Sequence, residues 1–570
     1  MSFRPLLLPG LLCLLLSSGF LLLIFGPASY EQVQVLSGIT YHEGSFHHLT
    51  LALTPARYAL LRGGLAAVAL ASGGALLLLR HSLRQQGHLL HAEWQQVQAL
   101  LGQLPATLST PEKLVGGSLL VALLLTWLWY LIVCPISTDE AASFDYFIHE
   151  GPLAISSFYP IPNNHLLFNF LCWPLSLLSH NLRLVMRLPT LVVAVAATAG
   201  AYLLLSRQLG FRAATLGIGL FGFSPLGVFY AVAGRGYFLQ LALLLAAFFA
   251  ALALWRRAPW PRLAWAVFIS SSILGLYTIP TFVYPLAALG LGLLAGFVQQ
   301  RRWPDLARLA VAGATVAATA VLLYLPVMVV SGLPQLLGNR YVAPLLPATF
   351  WLNYTGYLHV LADTLAGASY LGVAVVAVLG LALPLLWWKQ PALRPILAFI
   401  TLLLLVPVLL MAVQQVLVPA RVLLFMACFS SMALGIAGAG LLRLARIPVA
   451  GQLLLMLLIG GYAGYVQIQQ AASLVSEQQR EHQLESSYEW LTGWDARRVF
   501  LASPWHELFM HHYALLENRP LLLHTKADPA IRYDLVVLER GTTPPDWVAS
   551  HYVPVYEDAL GVFYGPRTAQ

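Results

Sequence analysis

The sequence predicts a polytopic α-helical membrane protein of about 13 transmembrane helices that ends in a small extracytoplasmic α/β domain. Three observations predict it. The 570 residues are 59% hydrophobic and only 9% charged, with a mean hydropathy of +0.75, whereas a soluble domain carries roughly 25% charge. Apolar runs approaching the ~20 residues that cross a bilayer recur along the chain. Among them are Leu119–Cys134, Leu239–Trp255, Ala307–Val330, Ile396–Met411 and Val422–Leu442. After Ile468 the composition changes, and 13 of the 23 acidic residues fall there.

A net charge of +8 would suggest nucleic acid in a soluble protein. Here most arginines flank apolar runs, where the positive-inside bias puts them, so no nucleic-acid partner is expected. The four cysteines lie in apolar segments without a CxxC pair, which suggests neither a zinc site nor a disulfide framework. Leu6–Phe25 reads as the first span. It lacks a clear small-residue cleavage site and reads as a retained anchor rather than a signal peptide. Tyr58–Leu79 is the second span. Arg80, Arg84 and Lys113 then place residues 80–113, and with them the N-terminus, in the cytoplasm. Within that segment Leu89–Leu104 has the apolar spacing of a helix lying on a membrane surface.

Leu119–Cys134 then crosses outward, so Ser137–Arg187 is expected to be an extracytoplasmic loop. Within it Leu166–Ser179 is apolar but only about 14 residues long, a length typical of interfacial or re-entrant segments. If it spanned, the basic pairs Arg207/Arg212 and Arg256/Arg257 would fall outside, against the charge bias. Lying flat, it leaves spans near 188–206, 213–231, 237–255, 263–280, 283–299, 308–330, 369–388, 396–413, 422–442 and 450–467. Three regions follow: an N-terminal hairpin and cytoplasmic segment (1–113), a transmembrane region (114–470) and an extracytoplasmic domain (471–570).

The tail alternates aromatic and polar residues. Glu477, Glu481, Glu485 and Glu489 recur every fourth position, as on a solvated helix. A strand at Arg498–Ala502, a helix at Trp505–Asn518, a strand at Asp534–Glu539 and a final β pair at Tyr552–Tyr556 and Gly561–Tyr564 follow.

Three motifs carry a bland reading. Gly217-Ile-Gly219-Leu-Phe-Gly222 matches a dinucleotide fingerprint, but inside an apolar span small residues serve close helix packing. His506, His511 and His512 lack a metal-site pattern and read as surface histidines. Asn353-Tyr354-Thr355 is an isolated glycosylation triplet.

The acids of Ser137–His165 carry a sharper reading. Asp139, Glu140, Asp145 and Glu150 cluster in a chain whose next 320 residues hold only Asp305 and Asp363. Asp145 and Glu150 are expected to solvate the loop. Asp139 and Glu140 stand directly after a span, where partial desolvation makes a carboxylate a stronger base, as general-base catalysis requires. Arg235 and Arg421 lie on the same side, against the inside bias and next to Gly or Pro. Two such arginines beside the acids suggest a phosphate site.

The order of these motifs resembles the GT-C superfamily of membrane glycosyltransferases, in the branch of protein O-mannosyltransferases and lipid A aminoarabinose transferases. The matching residues are Asp139-Glu140 after a span, Pro162-Asn163-Asn164-His165 before the interfacial segment, and Arg187-Leu188-Pro189 heading the next span. Ser224-Pro225, Tyr230, Arg235-Gly236-Tyr237 and Pro419-Ala420-Arg421-Val422-Leu423 complete the set. Asn-Asn-His-Leu replaces the His-Pro-Pro-type lead common in the family, and the first two spans are an addition to its pattern.

The resemblance implies an enzyme of the inner (plasma) membrane that takes a sugar from a polyprenyl-phosphate donor. It passes the sugar, with inversion, to a hydroxyl or amine of an envelope acceptor. In that picture Asp139 is the base and Glu140 assists it or positions the loop. Arg235 and Arg421 hold the phosphate, while His165, Tyr237, Arg340 and Tyr341 are further substrate contacts. Membrane lipids surround the spans, and no cofactor or metal is expected. A transporter or a non-catalytic binder of a lipid-linked substrate is the rival. Transporters place ionisable residues near the midplane, whereas the acids here sit at span ends.

Overall fold

The computed structural model describes residues 4–42, 46–338, 342–444, 450–528, 530–558 and 561–567. Among these, ten helices are long and apolar enough to cross a membrane, or eleven if one bent pair counts as a span. The chain is therefore a multi-pass membrane protein, with fewer qualifying spans than the thirteen expected. The other two expected spans are helical but more polar. Pro261–Thr278 carries Arg262 and three consecutive serines, and 450–467 is the first part of a single 44-residue helix, Ala450–Gly493.

The N-terminal hairpin, Arg4–Phe25 and Pro55–Leu78, packs on itself and against Trp303–Val327. Arg80–Gln103 is one continuous, largely exposed helix. Its buried Glu93 accepts from Arg262 Nη1 at 2.9 Å and from the Leu263 amide at 2.8 Å, at the first turn of Pro261–Thr278. A negative charge is favoured there because it faces free amides. Thr110–Val133 begins with a Ser109/Glu112 capping box and ends before Pro135. Such a box satisfies amides that a helix start leaves open.

The segment expected as a loop after this span is mostly helical. Thr138–Ser143 runs into a π-helical turn, Phe144–Ile148, and short helices Pro152–Ser157 and Leu166–Ser176 follow. At 11 residues and ~1.5 Å rise per residue, Leu166–Ser176 is far too short for a bilayer core of about 30 Å, in line with the non-spanning reading. Further on, Phe211–Phe223 and Pro225–Val232 meet at a 70° bend. Pro225 cannot donate to the preceding turn, and Ser224 Oγ caps the new helix at the Gly227 amide, 3.0 Å away.

The glycines of the apparent dinucleotide motif are contact points. A Cβ at Gly217 would stand 3.0 Å from Met432 Cα, at Gly219 2.7 Å from Ile459 Cδ1, and at Gly222 2.6 Å from Leu123 Cδ2. The packing reading holds.

Ala450–Gly493 runs without a break into the C-terminal domain. Its five-stranded sheet has the order Leu522–His524, Arg498–Leu501, Leu535–Leu538, Val562–Pro566, Tyr552–Glu557. The first three strands are parallel and the last two pairings antiparallel. Leu484, Tyr488, Leu491, Phe509 and Ala514 cover one face, and Tyr533, Val548 and Tyr552 the other. The strand Leu522–His524 and the helix Asp546–His551 escape the sequence pattern, each being shorter than two full periods.

Candidate functional site

Asp139, Glu140 and Asp145 lie within seven positions, and each has a different fate. Ser137 caps Thr138–Ser143, and the Glu140 carboxylate reaches back to the Ser137 amide at 2.9 Å. Arg187 then meets Glu140 in parallel, Nε to Oε1 and Nη2 to Oε2, both at 2.8 Å. The Gly234 amide adds a bond of 2.7 Å to Oε1. Arg187 also donates to the carbonyls of Cys134 and Pro135 at 2.7 and 2.6 Å. One buried ion pair thus ties the end of Thr110–Val133, the acidic segment, the head of Leu188–Leu209 and the turn at Gly234. Burial pushes the Glu140 carboxyl up, but the Arg187 guanidinium and the amides outweigh it and hold it at about 2. In the sequence Arg187 stands out only as the head of the Arg187-Leu188-Pro189 motif. Its position at the same end of the bundle as Arg235 and Arg421 was the available signal.

Asp145 corrects an expectation: it does not solvate a loop. It is buried in the π-helical turn, with His512 Nδ1 2.7 Å from Oδ1 and His511 Nδ1 3.5 Å from Oδ2. Burial raises its carboxyl, and the two imidazoles together bring it below the usual carboxylate range. His512, read from sequence as a surface residue, is likewise buried at 2% exposure. These partners stand 367 residues apart, a separation that no local pattern encodes. Glu150 is exposed, as expected.

Asp139 remains open. Its side chain is 40% exposed, and Oδ2 lies 4.0 Å from Arg235 Nη2 and 3.9 Å from Arg421 Nη1. Its own carbonyl is fixed by Arg235 Nη1 at 2.9 Å and Asn163 Nδ2 at 3.0 Å. Arg235 is buried and also donates to Ser143 Oγ and to the Asn163 carbonyl. Asn164 braces the lead-in by donating to the carbonyls of Ile155 and Phe158 at 2.9 and 3.0 Å.

His165 is buried beside this group. The Gly236 amide donates to Nδ1 at 3.0 Å, so the ring proton sits on Nε2, 3.2 Å from Arg235 Nη2. Burial and the charges of Arg235 and Arg421 push His165 well below its ordinary value, which keeps the ring neutral. Tyr237 meets His165 edge-on with ring centroids 4.9 Å apart, and Tyr230 meets Tyr237 at 5.0 Å. The structure thus gathers Asp139, Glu140, His165, Arg235, Tyr237 and Arg421. Arg340 and Tyr341 lie outside the described residues. Asn353 lies inside the helix Pro347–Ala366, donating to the Thr349 carbonyl at 2.7 Å.

No protein-family model matches the sequence, and no curated protein matches it. Solved structures do. ArnT from Cupriavidus metallidurans bound to undecaprenyl phosphate superposes with a TM-score of 0.52 at 12% identity, over 79% of this chain and 98% of that chain. Its apo state gives 0.50 at 14% identity, over 79% and 97%. The arabinosyltransferase EmbB from Mycobacterium smegmatis aligns with 90% of this chain and 50% of that chain at 14% identity, with a TM-score of 0.34. The chain shares the fold of the ArnT structures, as expected from the sequence. This chain aligns with nearly the whole length of both ArnT structures.

Proposed function

We propose that the protein is a glycosyltransferase that moves a sugar from a polyprenyl-phosphate donor to an acceptor hydroxyl or amine on the extracytoplasmic face. The observation that carries the reading is the placement of Asp139: a partly exposed carboxylate between Arg235 and Arg421, on a GT-C fold whose relative ArnT binds undecaprenyl phosphate.

In this reading Asp139 accepts the proton of the attacking hydroxyl or amine. The acceptor atom bonds to the anomeric carbon from one side while the phosphate oxygen leaves from the other, so the configuration inverts. The phosphate leaves as a stable anion. It needs cationic stabilisation rather than the protonating carboxylic acid that glycosidases use. Arg235 and Arg421 supply the charge. His165 Nε2–H and Arg235 Nη2 are both donors, 3.2 Å apart, and one phosphate oxygen placed to the side of the pair can accept from both. Tyr230 and Tyr237 form the apolar wall beside it.

Glu140 takes the positioning role, because Arg187, Gly234 and Ser137 occupy its carboxylate. The charge bias of the basic loops supports an inner membrane with the N-terminus cytoplasmic and the C-terminal domain outside. Incubating the protein with radiolabelled polyprenyl-phosphate sugars and an envelope acceptor fraction tests the reading. Label transferred to the envelope supports it; a reproducible absence across several sugars favours a carrier or binder of the same lipid.

A further inference from the structure

The helix Pro504–Leu516 of the C-terminal domain has two working faces. Phe509 and Ala514 pack on the domain's own sheet. Leu508, His512 and Leu516, spaced every fourth residue along one stripe, meet the acidic segment instead. Leu508 joins the cluster of Ala142, Tyr146 and Phe147, and Leu516 packs against the cluster around Phe144 and Ile148. His512 lies between them, edge-on to Phe144 with ring centroids 6.2 Å apart, and donates from Nδ1 to Asp145 at 2.7 Å.

Asp145 begins two residues after Ser143, whose hydroxyl receives Arg235. Thr138–Ser143 carries Asp139 and continues directly into the π-helical turn. A π-helical turn is rare and occurs mostly as a single turn, frequently at functional sites. The buried Asp145 carboxylate is stable within it only while a partner holds it.

Building on the transferase reading, we propose that His512 is a positioning residue: by holding Asp145 it fixes the short helix that places Asp139 between Arg235 and Arg421. The C-terminal domain then completes the scaffold of the site. The long helix adds a second tie on the opposite side, with Gln478 Nε2 on the Val133 carbonyl at 2.9 Å and Glu481 on the Ile136 amide at 2.8 Å.

The test uses the full-length protein. His512→Leu removes the bond, and His512→Asn keeps an N–H donor near the position of Nδ1. The double variant Asp145→Leu/His512→Leu removes both polar partners without leaving a buried charge, which guards against misfolding. Two readouts are taken: amide hydrogen exchange over residues 137–149, and transfer kinetics with a polyprenyl-phosphate sugar. Losing a charge-assisted bond should speed exchange there by about tenfold or more in the two Leu variants. The kcat should fall by about tenfold, with the donor KM within about threefold of wild type and His512→Asn close to wild type in both readouts. Wild-type exchange in the double variant overturns the proposal, and so does faster exchange with unchanged kcat. Exchange is read without any transfer assay, so failure of the transferase reading and failure of this positioning role are separate results.

Discussion

Glu140 and Arg187 face each other through two parallel hydrogen bonds of 2.8 Å, and both side chains are 2% exposed. Forty-seven residues apart in sequence, they close the base of the acidic segment. Taking one partner from a buried pair leaves an uncompensated charge, which costs about 3–5 kcal/mol. Glu140→Ala should therefore lower thermal stability by about that amount. Glu140→Ala with Arg187→Met should recover most of it. Equal melting temperatures for the wild type and Glu140→Ala would show that the pair holds nothing together.

Arg235 and Arg421 should differ in how they fail. Arg235 is buried and makes bonds to Asp139, Ser143 and Asn163, so Arg235→Lys should disturb the segment as well as phosphate binding, because lysine cannot reproduce the fork. Arg421, about one-third exposed, should act mainly on the ligand. Arg421→Ala is expected to weaken binding of a polyprenyl phosphate by about tenfold to hundredfold while leaving the melting temperature unchanged. Titration with the lipid phosphate measures this.

Stability should bend with pH at both ends of the acidic range. Glu140 and Asp145 are held below their ordinary values. Their contribution is therefore present above about pH 4.5 and is lost as the pH falls through the lowered folded values, about 2 for Glu140. Glu507 runs the other way. It is fully buried in the C-terminal domain, and burial pushes its carboxyl up to about 8. Between about pH 4.5 and 8 the folded state keeps a proton that the unfolded chain releases, so this group costs stability as the pH rises through that window. Melting temperatures of Glu507→Gln should lack that decline. A decline as steep as in the wild type would contradict the assignment.

Gly217→Val should destabilise the bundle by about 1–3 kcal/mol through overpacking against the Met432 backbone. Adding a dinucleotide should leave the melting temperature of the wild type unchanged. A dinucleotide-dependent rise would reopen the fingerprint reading.

The sequence carries the class of the molecule in signals that need no partner. Apolar runs report spans, and the short apolar stretch Leu166–Ser179 reports a segment that does not cross. Asp139 was legible because it follows a span and stands in an acid-poor chain. The fates of its neighbours were not, since charge pattern alone cannot separate a solvated carboxylate from one locked in an ion pair. Glu140 and Asp145 differ from Asp139 only through Arg187 and His512, which the fold brings in from elsewhere. The span count turns on a related ambiguity, because Pro261–Thr278 and 450–467 are helices where the sequence expects spans but carry more polar residues than the rest.

The central claim is that Asp139 is the base. Asp139→Asn removes the charge and keeps the shape, so binding of a polyprenyl phosphate and the melting temperature should stay close to wild type. Transfer of radiolabelled sugar from the polyprenyl-phosphate donor should fall by at least about a hundredfold. Turnover of the Asp139→Asn protein within a few-fold of wild type would contradict the account.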